Sequence, residues 1–270
     1  MLCLIPVMLL LLVVLACSPD SAGLFVEVEG TRFVLDGEPY VFVGTNLWYG
    51  MYLGAEGELG NRDRLVRELD VLKELGVTNL RICAASEKAD FEYAVRPALQ
   101  TAPGIYNETL LDGLDFCMAE VAKRDMKAVL YLTNYWEWSG GMSAYNHWAG
   151  EGAVVDPLRT FANWVDYNGY VTRFYAGEKQ NQMFRNYIKF LIERVNPYTG
   201  VAYRDEPAIM AWQLANEPRP GAGDIIDEVA PEWVNWIDQT AAYIKSLDPN
   251  HLVSTGNEGV MGSGGSEEYF

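Results

Sequence analysis

The chain has 270 residues, half of which are hydrophobic, with 37 acidic and 20 basic side chains and a formal net charge of −17. This length and apolar content are enough for one large domain, or for two small ones, with an ample core. The acidic balance argues against nucleic acid or an anionic membrane surface as a partner, and it suits a catalytic domain that handles a neutral ligand.

The N-terminal segment is predicted to be a leader rather than part of the fold. Met1 to Ala16 is almost wholly apolar but short for a membrane span, which is typical of a signal peptide. The run Val14-Leu15-Ala16-Cys17 is similar to a bacterial lipobox, so we expect an exported protein, extracellular or held at a bacterial surface by lipid on Cys17. Residues 17–24 would form a linker and 25–270 one domain, with membrane contact only through that lipid.

Two cysteines, Cys83 and Cys117, fall within the predicted domain. An exported protein can oxidise such a pair to a disulfide, and two buried free thiols are the alternative. The chain has only two histidines and no Cys-x-x-Cys pair, so a zinc site is not predicted. We expect no metal and no cofactor.

Predicted strands and helices alternate along the domain. A hairpin over 30–45 leads into a strand at 41–46, and further strands are predicted at 77–82, 127–133, 208–217 and 251–255. Apolar residues at helical spacing predict helices at 62–75, 109–124, within 181–195 and at 231–247. This alternation implies parallel βαβ units, which both doubly wound sheets and barrels contain.

Polar residues at the strand ends favour the barrel. No Gly-rich phosphate fingerprint precedes the first helix, which lowers the case for a dinucleotide fold. Side chains suited to an active site instead follow the first four strands: Asn46, Arg81, Asn134, Asn216 and Glu217. The predicted fold class is therefore α/β, a (β/α)8 TIM barrel of which about the first five βα units are present.

The segment 134–180, between the third strand and its helix, is rich in Trp, Tyr, Gly and Asn. A loop of this length in a compact domain is either functional or disordered, and this one is too aromatic for disorder. Its aromatic side chains could fill a core or line a cleft in which flat faces stack on sugar rings. We predict that the segment folds over the cleft.

The run Trp212–Pro220 carries the strongest candidate for chemistry. Pro218 cannot donate to a sheet and is predicted to hold Glu217 in an extended conformation at the C-terminal end of its strand. A carboxyl group in that position of an α/β barrel can serve as a general acid. The alternative is an ordinary strand exit with a solvated glutamate.

Several segments, taken in their order along the chain, together resemble glycoside hydrolase family 5, and within it the endo-β-1,4-mannanases. They are Leu99–Glu108 with Gly113–Phe116, Thr133–Trp136 with Gly140-Gly141, Arg194–Tyr203, Trp212–Pro220, and Asp248–Gly259. The resemblance extends from about Phe25 to Gly262.

The resemblance implies roles for individual residues. Glu217 would be the general acid/base, Asn216 its neighbour at the sugar 2-hydroxyl, and Arg81 a support for the nucleophile. The implied sugar contacts are Trp136, Arg219, Asn46, Trp48 and Asn134. Alternatives remain open for Arg81, as part of a structural ion pair, and for Trp136, as a core residue. Glu258 is expected to be non-catalytic, because the family places no catalytic carboxylate on that strand.

The implied activity is endo-acting, retaining hydrolysis of β-1,4-mannosidic bonds in mannan-type polysaccharides by a monomer. In the family, a Glu at the end of the seventh strand is the nucleophile, and only five strands are predicted here. We therefore expect a C-terminally truncated barrel whose nucleophile lies outside this chain and which has little activity by itself. The alternatives are a β-1,4-glucanase of the same family, a non-catalytic carbohydrate-binding surface protein, or a product without function.

Overall fold

The computed structural model describes residues 24–158 and 164–259. The predicted signal peptide, Cys17 and the linker up to residue 23 lie outside the described residues. The strands are β1 (Glu27–Glu29), β2 (Arg32–Leu35), β3 (Glu38–Pro39), β4 (Val43–Asn46), β5 (Val77–Cys83), β6 (Gln100–Ala102), β7 (Ile105–Tyr106), β8 (Lys127–Tyr131), β9 (Ile209–Gln213) and β10 (Leu252–Ser254). The helices are α1 (Gly50–Gly54), α2 (Arg62–Glu74), α3 (Glu108–Ala122), α4 (Gly141–Ala149), α5 (Trp164–Val171), α6 (Arg173–Ala176), α7 (Glu178–Glu193) and α8 (Ile226–Leu247).

The central sheet has five parallel strands in the order β4-β5-β8-β9-β10. Each strand pairs with the next one of the sheet along the chain, and the order never reverses as it does in a doubly wound sheet. The predicted α/β class is confirmed, and this succession of strands is that of a barrel wall. Because the strands are parallel, their C-terminal ends meet at one edge, where Asn46 lies opposite Arg81.

Helix ends follow the local signals in the sequence. The Asn61 side chain accepts from the backbone N–H of Arg64 at the start of α2, and Asn107 caps α3 in the same way. Gly76, at φ +82°, ends α2 where the sequence predicts. The helices bury an apolar face, including Leu65 and Leu69 of α2, against the sheet.

Some element boundaries differ from the prediction. The first strand of the parallel sheet begins at Val43, two residues late, because the chain before it forms an antiparallel three-stranded sheet, β1-β2-β3. The helix α8 begins at Ile226, five residues early, and contains Pro231. The strand that leads to Glu217 ends at Gln213.

The predicted loop over 134–180 is largely helical, which corrects the sequence interpretation. It contains α4, α5 and α6 and ends within α7. Tyr145 and Tyr167 are fully buried in the core, whereas Trp136, Trp138 and Trp164 line a cavity. The high aromatic content hid the helical spacing, since most positions of these short helices carry an apolar or aromatic side chain.

A buried cluster of hydrogen-bonded side chains joins β9 to the turn before β10. Trp212 donates its indole N–H to Oδ2 of Asp248 at 2.6 Å, and the His251 ring contacts the same oxygen at 2.6 Å. The Asp248 carboxylate also accepts from the backbone N–H groups of Asn250 and His251. This cluster lies away from the cavity and fixes one strand pair of the sheet.

The two domain cysteines are free thiols. Cys83 and Cys117 are both buried, and neither forms a disulfide. Burial raises the pKa of each thiol to about 12, so the reactive thiolate form of both is disfavoured at neutral pH. Over residues 24–158 and 164–259, no helix is both long and apolar enough to cross a bilayer.

Candidate active site

A cavity of about 650 Å³ opens at the C-terminal ends of the parallel strands. Six of the eight residues predicted to act on substrate line it: Asn46, Trp48, Arg81, Trp136, Asn216 and Glu217. The sequence therefore identified most of its wall. The C-terminal end of the strands is where barrel enzymes place their active sites.

Glu217 lies four residues after β9, half-buried in the cavity wall. Its backbone N–H donates to the Gly256 carbonyl at 2.9 Å, while the N–H of Asn216 donates to the Thr133 carbonyl at 2.8 Å. These two bonds tie consecutive residues to opposite neighbouring strands, and the chain turns sharply between them. The φ of Glu217 is consequently +54°, so the predicted extended conformation is wrong.

Trp136 holds the Glu217 carboxyl in place. Its indole Nε1–H donates to Oε2 of Glu217 across 2.5 Å. The indole ring also packs edge-on against Tyr135 and Trp164, with ring centroids 5.2 and 5.7 Å away. Trp136 is therefore a cavity residue that contacts the candidate acid, which excludes the alternative of simple core packing.

A pair of amides supports the wall from behind. Asn134 Oδ1 accepts from Asn216 Nδ2 at 3.0 Å and from the Trp136 backbone N–H at 3.1 Å, and Asn134 Nδ2 donates to Ser139 Oγ at 2.9 Å. Asn134 is 1% exposed, so direct contact with a sugar, as predicted, does not fit its position. It orients Asn216 and the backbone of Trp136 instead.

Arg81 faces the cavity, where neutral side chains hold its guanidinium. Its Nε donates to Gln213 Oε1 at 2.6 Å, Nη1 lies 3.5 Å from Asn46 Oδ1, and the guanidinium sits 4.6 Å above the Tyr131 ring. Burial lowers the pKa of Arg81, although nearby acidic groups oppose the effect. Within the described residues it forms no ion pair, so the structural-ion-pair alternative is not supported there, and its cationic face is available to an anion.

Arg219 and Glu258 form an ion pair beside Glu217. The Arg219 guanidinium lies 4.8 Å from the centre of the Trp136 ring, and both charged side chains are largely buried. Burial and the nearby Glu217 carboxyl raise the pKa of Glu258, despite the hydrogen bond from Arg219. Arg219 thus stands behind Trp136, with its charge paired to Glu258.

The sequence interpretation missed four residues that line the cavity and one that supports the cavity residue Arg81. Gln213, which holds Arg81, ends an otherwise apolar strand, and that polar residue was the signal available. Tyr131, Glu137, Trp138 and Trp164 line the cavity itself. Spacing could not separate the three aromatic residues among them from aromatic residues of the core. In the described part of the chain, no three potential metal ligands of the His, Cys, Asp or Glu type cluster together.

The family model described as GH family 5 beta-mannosidase-like matches residues 23–270. The chain belongs to this family. It is 35% identical over 246 residues to mannan endo-1,4-beta-mannosidase 1 of Oryza sativa subsp. japonica, covering 90% of this chain and 51% of that relative. It is 33% identical over 258 residues to mannan endo-1,4-beta-mannosidase 1 of Solanum lycopersicum, covering 94% and 57%.

The solved structures agree with this assignment. The family 5 mannosidase of Rhizomucor miehei superposes with a TM-score of 0.79 at 33% identity, over 87% of this chain and 56% of that one. An endo-1,4-beta-mannanase from the same fungus gives 0.71 at 28% identity, over 91% and 67%. The predicted family and TIM-barrel class are confirmed. The chain spans about half the length of the curated relatives that it matches.

Proposed function

We propose that these residues form the acid/base half of a retaining glycosidase site, with Glu217 as the general acid/base. The observation that carries this proposal is the position of the Glu217 carboxyl in the cavity wall, held by the Trp136 indole. Asn216 is a neighbour suited to a sugar hydroxyl. The guanidinium of Arg81, which has no carboxylate partner among the described residues, is suited to a nucleophile carboxylate.

A retaining mechanism needs a second carboxyl roughly 5–5.5 Å from the first. Glu217 would protonate the departing glycosidic oxygen while the nucleophile bonds to the sugar C1. Glu217 would then take a proton from the water that releases the sugar. Glu258 is a poor nucleophile, because its charge is engaged by Arg219. We place the nucleophile on residues outside those described.

The proposed substrate is a mannan-type β-1,4-polysaccharide, cleaved internally. The names of the plant relatives and of the fungal endo-mannanase support this choice. Because a mannosidase is also among the structural neighbours, experiment must decide whether the cleavage is internal. The indoles of Trp48, Trp136, Trp138 and Trp164 give the cavity flat apolar surfaces for pyranose faces, but a β-1,4-glucan could stack on them as well.

The test is hydrolysis of mannohexaose and cellohexaose by the purified chain, with and without azide as an external nucleophile. Azide attack at C1, with protonation of the departing oxygen by Glu217, would give an α-mannosyl azide. We expect that product from the wild type and not from E217Q. Formation of the corresponding α-glucosyl azide from cellohexaose instead would indicate the glucanase. Retention of mannohexaose by both proteins with no product would indicate the non-catalytic binding protein.

We further propose that the protein is exported as a monomer, with Cys17 as a lipid attachment site. The support is the sequence alone: an apolar leader ending in Val14-Leu15-Ala16-Cys17. Mass spectrometry of the mature N-terminus tests it. A diacylglyceryl-modified Cys17 is expected, and an unmodified cysteine within an uncleaved leader would contradict it.

A further inference from the structure

A buried carboxyl group outside the cavity contacts both ends of one segment of the cavity wall. Glu87, in the chain that follows β5, is 2% exposed. Its Oε1 accepts from Thr133 Oγ1 at 3.3 Å, and its Oε2 accepts from the Gly141 backbone N–H at 3.0 Å. Its own N–H donates to the Ser139 carbonyl at 2.8 Å. Glu87 thus contacts both ends of the segment 133–141, and Trp136 lies within that segment.

The Gly140-Gly141 turn closes tightly on Glu87 and Asn134. Both glycines have positive φ, at +83° and +55°. A Cβ on Gly140 would lie 2.0 Å from the Glu87 carbonyl oxygen, and one on Gly141 would lie 2.1 Å from the Asn134 carbonyl oxygen. The segment can adopt this path only without side chains there, and its backbone then presents Gly141 N–H to the Glu87 carboxyl.

We propose that Glu87 is a positioning residue for Glu217: by tying Thr133 to Gly141, it fixes the segment that carries Asn134 and Trp136. Asn134 orients Asn216, and Trp136 donates to the Glu217 carboxyl. Glu87 touches neither the cavity nor Glu217, so it acts only through these residues. The inference rests on the proposed role of Glu217, because positioning has meaning only for a working group.

Among residues 24–158 and 164–259, the Glu87 carboxyl has no cationic partner. The titratable groups that face it are Cys83 of β5, Tyr52 of α1, Tyr145 of α4 and Tyr187 of α7, all neutral at pH 7. Burial raises the pKa of Glu87 to about 8, although hydrogen bonds from Gly141, Thr133 and Tyr145 oppose the effect. The closed segment therefore favours the protonated acid.

A pH dependence of the segment follows. If the segment opens, Glu87 is hydrated and its pKa returns to the ordinary range near 4.3. The open form then gains relative to the closed form as the pH rises through the interval between the two pKa values, and the gain levels off above about pH 8. Glutamine at position 87 has the same shape and no charge, so it removes this dependence.

Hydrogen exchange of the Trp136 indole N–H, followed by NMR, measures this opening directly without any turnover. We expect the protection factor of the wild type, relative to that of E87Q, to fall more than about tenfold between about pH 5 and pH 8. All other side chains are the same in the two proteins, so their effects cancel in the ratio. E120Q makes the same change on α3, in the Lys123–Arg124 ion-pair cluster, and should keep the wild-type profile.

Two results would overturn the proposal. One is the same pH profile for E87Q and the wild type at Trp136. The other is an equal loss of protection in E87Q at Trp136 and at the backbone amides of β5, which would mark a merely structural residue. If E87Q does not fold, T133V replaces it: Trp136 protection should fall at every pH, and T133S should restore it. These readouts do not depend on hydrolysis, so they separate failure of this proposal from failure of the proposed function.

Discussion

The indole N–H of Trp136 and the carboxyl of Glu217 are joined by a 2.5 Å hydrogen bond across neighbouring strand exits. Trp136 follows β8 and Glu217 follows β9, and the Asn134–Asn216 amide pair links the same two exits one layer deeper. The candidate acid is therefore held by the strand before it as well as by its own.

Replacing Trp136 by phenylalanine removes this hydrogen bond and keeps an aromatic ring in the wall. A hydrogen bond within a protein contributes about 0.5–1.5 kcal/mol net, so the free energy of unfolding of W136F should fall in urea by about that much more than that of a variant that loses only ring area. W138F is the matched control, because Trp138 lines the same cavity without bonding to Glu217. Equal losses in the two variants would mean that the indole contributes only stacking surface.

Alanine at Gly141 should disturb the cavity far more than alanine at Gly150. Both glycines have positive φ, but only at Gly141 would the new Cβ meet backbone, 2.1 Å from the Asn134 oxygen, whereas nothing lies within 4 Å at Gly150. We expect G141A to lose about 2–4 kcal/mol more unfolding free energy in urea than G150A. Similar values for both would show that the segment can move without cost.

The overall stability should also report the ionisation of Glu87. Its pKa in the folded protein is raised to about 8, so the folded state binds more protons than the unfolded chain between the ordinary pKa of Glu and pH 8. The free energy of unfolding of the wild type should therefore fall relative to E87Q as the pH rises through that interval. The total is about 5 kcal/mol at most. Parallel curves in urea titrations would contradict this.

The stability that Asp248 contributes should depend on pH in the opposite direction to that of Glu87, since it is lost as the pH falls. Burial alone would raise the pKa of Asp248, but hydrogen bonds from His251 and Trp212 outweigh it and the pKa lies below its usual value. This carboxylate stabilises the fold above the ordinary pKa of Asp, and that stability is lost as the pH falls through the lowered value. D248N should be about 2–4 kcal/mol less stable at neutral pH and less sensitive to acid. D90N, at a side chain 91% exposed, should follow the wild type.

Much of the fold could be predicted because its signals are local. Apolar runs marked the strands from Val77, Lys127 and Ile209, and Gly76 marked a helix end. The helices within 134–180 were missed, since aromatic residues on every face conceal the period that identifies a helix. Their positions are decided by packing between segments far apart in the chain.

The candidate site, like the fold, could be predicted only where its signals are local. Strand ends identified Asn46, Arg81, Asn216 and Glu217, because a parallel sheet brings such ends together without further information. The pairing of Arg219 with Glu258 and the burial of Asn134 depend on contacts between different loops, which no spacing encodes. The conformation predicted for Glu217 was wrong for a related reason. Two backbone hydrogen bonds to neighbouring strands outweigh the preference that Pro218 imposes.

The left-handed backbone of Glu217 places a local cost at the residue proposed for chemistry. At φ +54°, the backbone conformation costs glycine or asparagine about 1 kcal/mol less free energy than it costs glutamate. A laboratory selection for heat resistance alone would therefore tend to replace this side chain among the first. Programmes that evolve the protein toward durability need a simultaneous demand for turnover, or they will discard the acid while improving the scaffold.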